Sequence, residues 1–360
     1  MIFIGAEEII SPLGDGIESN WKALTENRSG IAAVPSAGFD KSTLYLSRIP
    51  GLIVCNKFQT LIYTIIKRLQ TRMDPAIIQS EKTLLLISST KGALDPHTTD
   101  PFTETLASLQ RIFQLVHTPV VISNACISGV LAINTAYQLI KCGKYEHVLV
   151  IGCDVISDFI VYGFQSLFAV SDKPCKPFDA NRNGITLGEG CGAVLVSASR
   201  DVYGEQPAVL LAGAGANDAN HISGPSRTGE GLYRSVVKTM KMNNVGEDEV
   251  DFISAHGTAT VFNDEMESIA FDRLGLSDVP LNSMKGYFGH TLGAAGVIEV
   301  CASVKMMQAG TMLKSAGFEE SGTSKKLNVV RQNSNALIST MLKTASGFGG
   351  GNASLMIRQL

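Results

Sequence analysis

The sequence predicts an α/β fold built twice, and three observations predict it. Val120-Val121-Ile122 is an apolar, β-branched run that passes through the small residues Ser123-Asn124-Ala125-Cys126-Ile127-Ser128-Gly129 into a helical stretch, Val130–Tyr137. The same order returns at Leu281–Gly296, which runs into a helix near His290 and continues through Val297–Met307. The flanking runs correspond as well, Leu84–Gly92 with Asp251–Gly257, each ending in a small polar turn, and His147–Asp154 with Ala336–Leu342. Strands alternating with helices at this spacing indicate parallel βαβ units. The gap from the Ser88 turn to Cys126 resembles that from His256 to His290, so the two halves should meet at one shared site. The polar stretch Ala198–Pro207 marks the division, giving units 1–204 and 205–360. The helices after Cys126 and His290 carry small apolar residues all round, as central buried helices must.

Composition narrows the class. The chain has 360 residues, 45% of them hydrophobic, enough for a large core. A net charge of −3 gives no overall case for nucleic-acid binding. Seven cysteines at scattered spacings make neither a disulfide framework nor a metal site, and they point to a reducing, cytoplasmic setting. Met1–Glu8 is too short and acidic for a signal peptide, and no apolar run is expected to span a bilayer.

The chemistry starts at Cys126. A cysteine at a strand–helix junction sits among unpaired N–H groups and the helix dipole, which favour a thiolate. A buried structural cysteine has the same local signature. His256, in Ala255-His256-Gly257-Thr258-Ala259-Thr260, and His290, in Gly289-His290-Thr291-Leu292-Gly293-Ala294-Ala295-Gly296, follow strand-like runs and sit among small residues. Small residues there admit a close backbone or a thin substrate. Lys285 shortly precedes the second histidine.

Together these segments resemble the β-ketoacyl–acyl-carrier-protein synthases of the two-histidine, decarboxylating type. Ser123–Gly129 is similar to that family's nucleophile motif, Ala255–Thr260 to its first histidine motif, and Lys285 with Gly289–Gly296 to its second. Lys176–Gly190 and Ser346–Asn352 resemble two further blocks. The resemblance implies the thiolase fold, two duplicated halves in a five-layer αβαβα arrangement. It implies that Cys126 takes an acyl group and that His256 and His290, both neutral, stabilise the enolate left by decarboxylation of a malonyl thioester. It implies Lys285 as a buried support of the histidines, with Glu267 and Glu299 as acidic residues near the site. Counted along a helix from His290, Glu299 falls toward the opposite side, which leaves its reach open. The backbone N–H groups of Cys126 and Phe348 would form the oxyanion hole, Phe348 would gate the acyl pocket, and Thr258 and Thr260 would bind phosphopantetheine; capping of the turn is the competing role for both threonines.

No cofactor or metal is implied beyond the phosphopantetheine of acyl carrier protein. That carrier is the expected partner, with a homodimer or a heterodimer of related subunits. A thiolase would use a second cysteine where His290 stands, an initiating synthase would carry Cys–His–Asn, and a non-catalytic chain-length subunit would lack Cys126. Lys67, Arg68 and Arg72 form the densest basic cluster of the first half, either a carrier-docking patch or a solvated helix face. Relative to the family the chain is expected to be trimmed at about 45–85, including Leu46–Phe58, and to lack a proline-rich turn at 310–326. The resemblance implies chain elongation of fatty-acid or polyene/polyketide type, and both departures point to a specialised synthase of a polyene or other secondary pathway rather than a housekeeping fatty-acid enzyme.

Overall fold

The computed structural model describes residues 1–51, 56–94, 100–218, 224 and 226–360. Its first unit runs β1 (Phe3–Ser11), α1 (Lys57–Leu69), β2 (Thr83–Ser88), α2 (Thr103–Phe113), β3 (Val120–Ile122), α3 (Ser128–Lys141), β4 (His147–Asp154) and β5 (Gly190–Ser197). The second runs β6 (Ala208–Leu210) and β7 (Ala214–Asn217), α4 (Glu230–Asn243), β8 (Phe252–Ser254), α5 (Val261–Arg273), β9 (Leu281–Asn282), α6 (Ala295–Ala309), β10 (Thr340–Ser346) and β11 (Gly351–Arg358).

Strand pairing repeats between them. The first leaf has the order β3-β2-β4-β5-β1 and the second β9-β8-β10-β11-β6, with β7 also on β11. In these orders β2 and β8 pair parallel with both neighbours, and β5 and β11 pair antiparallel with both of theirs. The leaves are joined where β1 meets β6, Phe3 opposite Val209 and Ile4 opposite Ala208.

Alternation along the strands sets the layers. Leu84, Leu86, Val148, Val150, Val194 and Val196 face α3 and α6, which also receive Met341, Ala345, Leu355 and Ile357 of the other leaf. The intervening Leu85, Ile87, Leu149, Ile151 and Leu195 face outward to α1 and α2. Ile253, Leu342 and Met356 do the same toward α4 and α5. A side-chain period of two thus lets each leaf serve two cores, and the result is the expected αβαβα thiolase fold. The central helices cross where both carry glycine. A Cβ on Gly129 would lie 2.8 Å from Val297 N, and one on Gly296 would lie 2.6 Å from Val130 N.

Two expectations need correction. Leu292–Ala309 does reach the length and hydropathy of a bilayer span, yet 83% of it is buried. It is apolar all round because it is packed between two sheets. The second-half junction is also less simple than a strand running into a helix. A helical turn, Lys285–Phe288, and a tighter one, Leu292–Ala294, stand between β9 and α6. Within 45–85 the described residues are mostly framework. Leu44–Ser47 pairs with Leu187–Gly188, and α1 seals the outer face of the first leaf, while residues 52–55 of the segment lie outside the described residues.

Candidate active site

Cys126 sits where β3 gives way to α3. Ser128 ties the turn, accepting from Asn124 N at 2.7 Å and donating to Ala125 O at 2.6 Å. Ala125 is held at φ 43°, a left-handed conformation that costs energy for any residue with a Cβ and that projects the next side chain out of the turn. The thiol lies 3.0 Å from His290 Nε2. It is almost fully buried, and burial pushes it up to about 11 against the pull of Lys285 and Lys91 and a hydrogen bond from the Phe348 N–H. The expectation of a thiolate made by the helix terminus is therefore not met in the resting site. Desolvation of the anion outweighs the dipole and both lysines, so the resting nucleophile is a thiol beside an imidazole.

The loop after β8 is held from below by α5. Glu267 accepts the N–H of His256 at 2.8 Å and of Gly257 at 2.6 Å. Asp264 accepts those of Thr258 at 2.9 Å and Phe178 at 2.6 Å. Glu267 thus acts on the backbone that carries His256 and not on its ring. Burial beside Asp264 pushes Glu267 up to about 7.

The rings of His256 and His290 face each other edge to face, centroids 5.3 Å apart. The Cys126 sulfur and the nearest imidazole nitrogens all lie within 4.8 Å of one another. Burial, then the Lys285 charge, holds both imidazoles well below the usual histidine range, so both are neutral at pH 7. Lys285 Nζ donates to His256 O and stands 3.3 Å from His256 Nδ1. An ammonium donating to Nδ1 fixes the tautomer, leaving the hydrogen on Nε2. His290 Nδ1 has no hydrogen-bond partner among the described residues.

Glu299 corrects the helical count. The chain is not helical from His290 to Ala295 except for one tight turn, so Glu299 lies on the first turns of α6 and faces the site. Its Oε1 is 2.7 Å from Lys285 Nζ and its Oε2 is 2.6 Å from Lys343 Nζ. Lys343 was not foreseen. Its only signal in the sequence is a charge inside the otherwise small and apolar strand Thr340–Ser346. Asp154 and Lys91 were missed as well. Asp154, fully buried at the end of β4, accepts from Ser89 Oγ, Thr90 N and Gly293 N, and Lys91 Nζ lies 3.6 Å from it. This ties the loop after β2 to the loop after His290.

A cavity of about 430 Å³ opens above these groups. Thr258 and Thr260 line it, their hydroxyls 3.0 Å apart, and Thr260 also caps α5 through Asn263 N, so the capping role is real too. Phe348 closes one side. It follows Gly347, precedes Gly349 (φ 84°) and Gly350 (φ 80°), and stacks on Phe164 with centroids 5.6 Å apart. The mouth exposes Phe168 and Phe262. The basic cluster is largely spent elsewhere. Arg68 pairs with Asp15, Arg72 with Glu8 and Glu205, and Lys67 lies over the Tyr63 ring.

Comparison with known proteins agrees with this geometry. Residues 2–85 and 112–201 match the β-ketoacyl synthase N-terminal domain, and 208–319 match the C-terminal domain. The chain belongs to the β-ketoacyl synthase family, enzymes of the acyltransferase class. A putative mitochondrial 3-oxoacyl-[acyl-carrier-protein] synthase of Schizosaccharomyces pombe is 27% identical over 97% of both chains. A 3-oxoacyl-[acyl-carrier-protein] synthase 2 of Rhizobium meliloti is 32% identical over 65% of this chain and 59% of its own length. For a putative β-ketoacyl synthase of oxytetracycline polyketide synthesis in Streptomyces rimosus, the figures are 33%, 66% and 60%. Among solved structures, a ketosynthase in complex with its chain length factor from Xenorhabdus doucetiae superimposes with a TM-score of 0.89 at 22% identity, covering 100% of this chain and 98% of that one. The family match covers residues 2–85, leaves 86–111 unmatched around Lys91, and resumes at 112.

Proposed function

We propose that this chain catalyses decarboxylative Claisen condensation, joining a Cys126-bound acyl group to a malonyl unit carried on acyl carrier protein and giving 3-oxoacyl-carrier protein and CO2. The observation that carries this reading is the pair of buried neutral imidazoles facing one space beside a thiol. In the first half-reaction the Cys126 sulfur attacks an acyl thioester, and the acyl group leaves the carrier's phosphopantetheine. The thiol proton ends on the departing sulfur, with His290 Nε2 the nearest base to pass it. The tetrahedral oxygen is met by the N–H groups of Cys126 and Phe348.

In the second half-reaction the malonyl carboxylate leaves as CO2 and its electron pair becomes an enolate. The enolate oxygen accepts from Nε2–H of His256 and of His290, a preorganised donor pair in a dry site. The enolate carbon then attacks the acyl-cysteine, forming the C–C bond and returning the sulfur. Both histidines must be neutral donors with their hydrogen on Nε2. Lys285 supplies this for His256, and the unpartnered Nδ1 of His290 leaves its proton free to change nitrogen between half-reactions. Thr258 and Thr260 hold the phosphopantetheine arm, and Phe348 swings off Phe164 to admit the acyl chain. Glu267 and Glu299 act as supports.

No cofactor enters this reading. A metal ion on Cys126, His256 and His290 would displace the donor hydrogens and face Lys285 and Lys343, so treatment with a chelator should leave activity intact. The reading includes acyl carrier protein as partner and a cytoplasmic location, to which the free state of all six described cysteines is suited.

A second reading concerns assembly, with this chain as the active half of a pair with a related subunit. It is favoured by the X. doucetiae neighbour, itself paired with a chain length factor, and by the open edge of the first leaf, where Val120 is 44% exposed with Val116 and Ile112 beside it also exposed. Intact-mass measurement after incubation with a panel of acyl carrier proteins tests the main reading. The acyl group should appear on Cys126 and vanish in Cys126→Ala. Cys126→Gln should release CO2 from malonyl thioester without condensing, and His256→Ala or His290→Ala should suppress that release. Normal condensation in either histidine variant would remove the mechanism.

A further inference from the structure

We infer that Lys343 is a positioning residue of this reaction: together with Lys285 it leaves the buried cluster around Glu299 with one positive charge in excess, directed at the two imidazoles. The inference rests on the condensing reading above.

The starting point is an excess that structure alone does not require. Met341, Lys343 and Ala345 are alternate residues of β10, and the first and last pack against the central helices. Lys343 therefore occupies a core-facing position of a strand buried on both sides, and it is fully buried. A lysine there is costly unless its charge is met. Glu299 is the acid that meets it, but Glu299 is already paired with Lys285 at 2.7 Å. One buried carboxylate and one ammonium make a complete pair, and a methionine at 343 would fill the space without a charge. The second ammonium, 2.6 Å from Glu299 Oε2, makes the cluster net positive.

The placement of that excess is specific. Lys343 Nζ donates to Ser254 O at 3.1 Å and Ala255 O at 3.3 Å, the two residues that lead into His256. Lys343 lies beside Ser254 in the parallel register of β8 and β10. It thus fixes the strand end that carries one imidazole while its charge, with that of Lys285, acts on both. The other charged groups facing the imidazoles are Lys91 and Asp154, which pair with each other, and Glu267 and Asp264 on α5, which are spent on backbone N–H groups. Glu267 attracts both lysines, but burial pushes it up to about 7, so it is only partly charged near neutral pH and offsets the excess at Glu299 only in part. A positive excess disfavours imidazolium and favours an oxyanion at Nε2, so one charge serves both needs of the enolate step.

The test uses Cys126→Gln as parent, with CO2 release from malonyl-coenzyme A measured between pH 5.5 and 8.5. Lys343→Gln keeps donors for both carbonyls and removes the charge. Its acid limb should rise by about one pH unit, a roughly tenfold loss of rate at a pH on that limb. Lys343→Gln combined with Glu299→Gln restores a single excess charge and should return the limb toward the parent. A purely structural role would lower the folded fraction or the plateau and leave the limb in place. An unmoved limb in folded Lys343→Gln, or a limb that the double variant does not restore, overturns the inference. Should Lys343→Gln fail to fold, Glu299→Gln alone raises the excess and must move the limb downward; no movement again overturns it. Absence of CO2 release in the parent itself would count against the condensing reading, and carbon-13 NMR titration of labelled histidines would then read the same shift without turnover.

Discussion

Replacing Gly129 by alanine separates two effects of opposite sign. In an exposed helix this change stabilises by about 1 kcal/mol, because glycine loses more backbone freedom on folding. At Gly129 the new Cβ would meet Val297 N at 2.8 Å and Gly296 Cα at 2.9 Å. Ordinary carbon contacts lie near ~3.5–4.0 Å, so the helices must separate by roughly 0.7 Å or more. The obstructing atoms are backbone, so no side chain can rotate away. Overpacking of this kind costs about 1–3 kcal/mol, which outweighs the propensity gain and leaves a net loss of about 1 kcal/mol. Thermal unfolding should show a Tm lower by roughly 1–2 °C, since unfolding entropy of about 2.1 cal/mol/K per residue accumulates over 360 residues. The damage should also reach the site, because Cys126 leads into α3 and His290 leads into α6, and their 3.0 Å contact joins the two helix starts. Condensation should fall more than stability does. Gly296→Ala, with a 2.6 Å clash against Val130 N, should behave alike. The double variant should cost less than the sum, since one separation relieves both clashes. A higher Tm in Gly129→Ala with unchanged turnover would refute the claim that the glycines set the helix crossing.

Glu299→Ala leaves two buried lysines without their acid and should cost about 3–5 kcal/mol, read by urea denaturation; a loss below about 1 kcal/mol would mean the cluster is solvated. Iodoacetamide should alkylate Cys126 slowly at pH 7.5 and much faster as pH rises toward about 11, whereas fast, pH-independent labelling would show a preformed thiolate. Both histidines have folded pKa values depressed below their unfolded value of about 6.5, so as pH falls below that value the unfolded chain binds protons the folded one does not, and stability drops. His290→Gln should therefore lose less stability than the parent between pH 7.5 and 5.5, by up to ~1.4 kcal/mol per unit below 6.5, and identical pH dependence in the two proteins would contradict it. Phe348→Ala should leave the thiol in place but slow acyl loading from long-chain carriers, checked by single-turnover mass measurement.

The sequence by itself determined the duplicated α/β architecture, because strand alternation and all-apolar central helices are local periodicities that survive without coordinates. It also singled out Cys126, His256 and His290, each in a legible small-residue turn, and Lys285 through the second histidine motif, and the structure brings the four together. Only the tertiary structure decided the protonation of the site. The local signature of Cys126 suggested a thiolate, but burial comes from residues of both halves and reverses the sign. It alone placed Glu299 toward the site, because the irregular turns between His290 and Ala295 break the helical count. It alone showed Lys343, whose partners lie on β8 and α6, and it showed that Arg68 and Arg72 are paired with acids distant in the chain. Charges that matter to this site are compensated across long sequence separations, and no local pattern records which acid a lysine will meet.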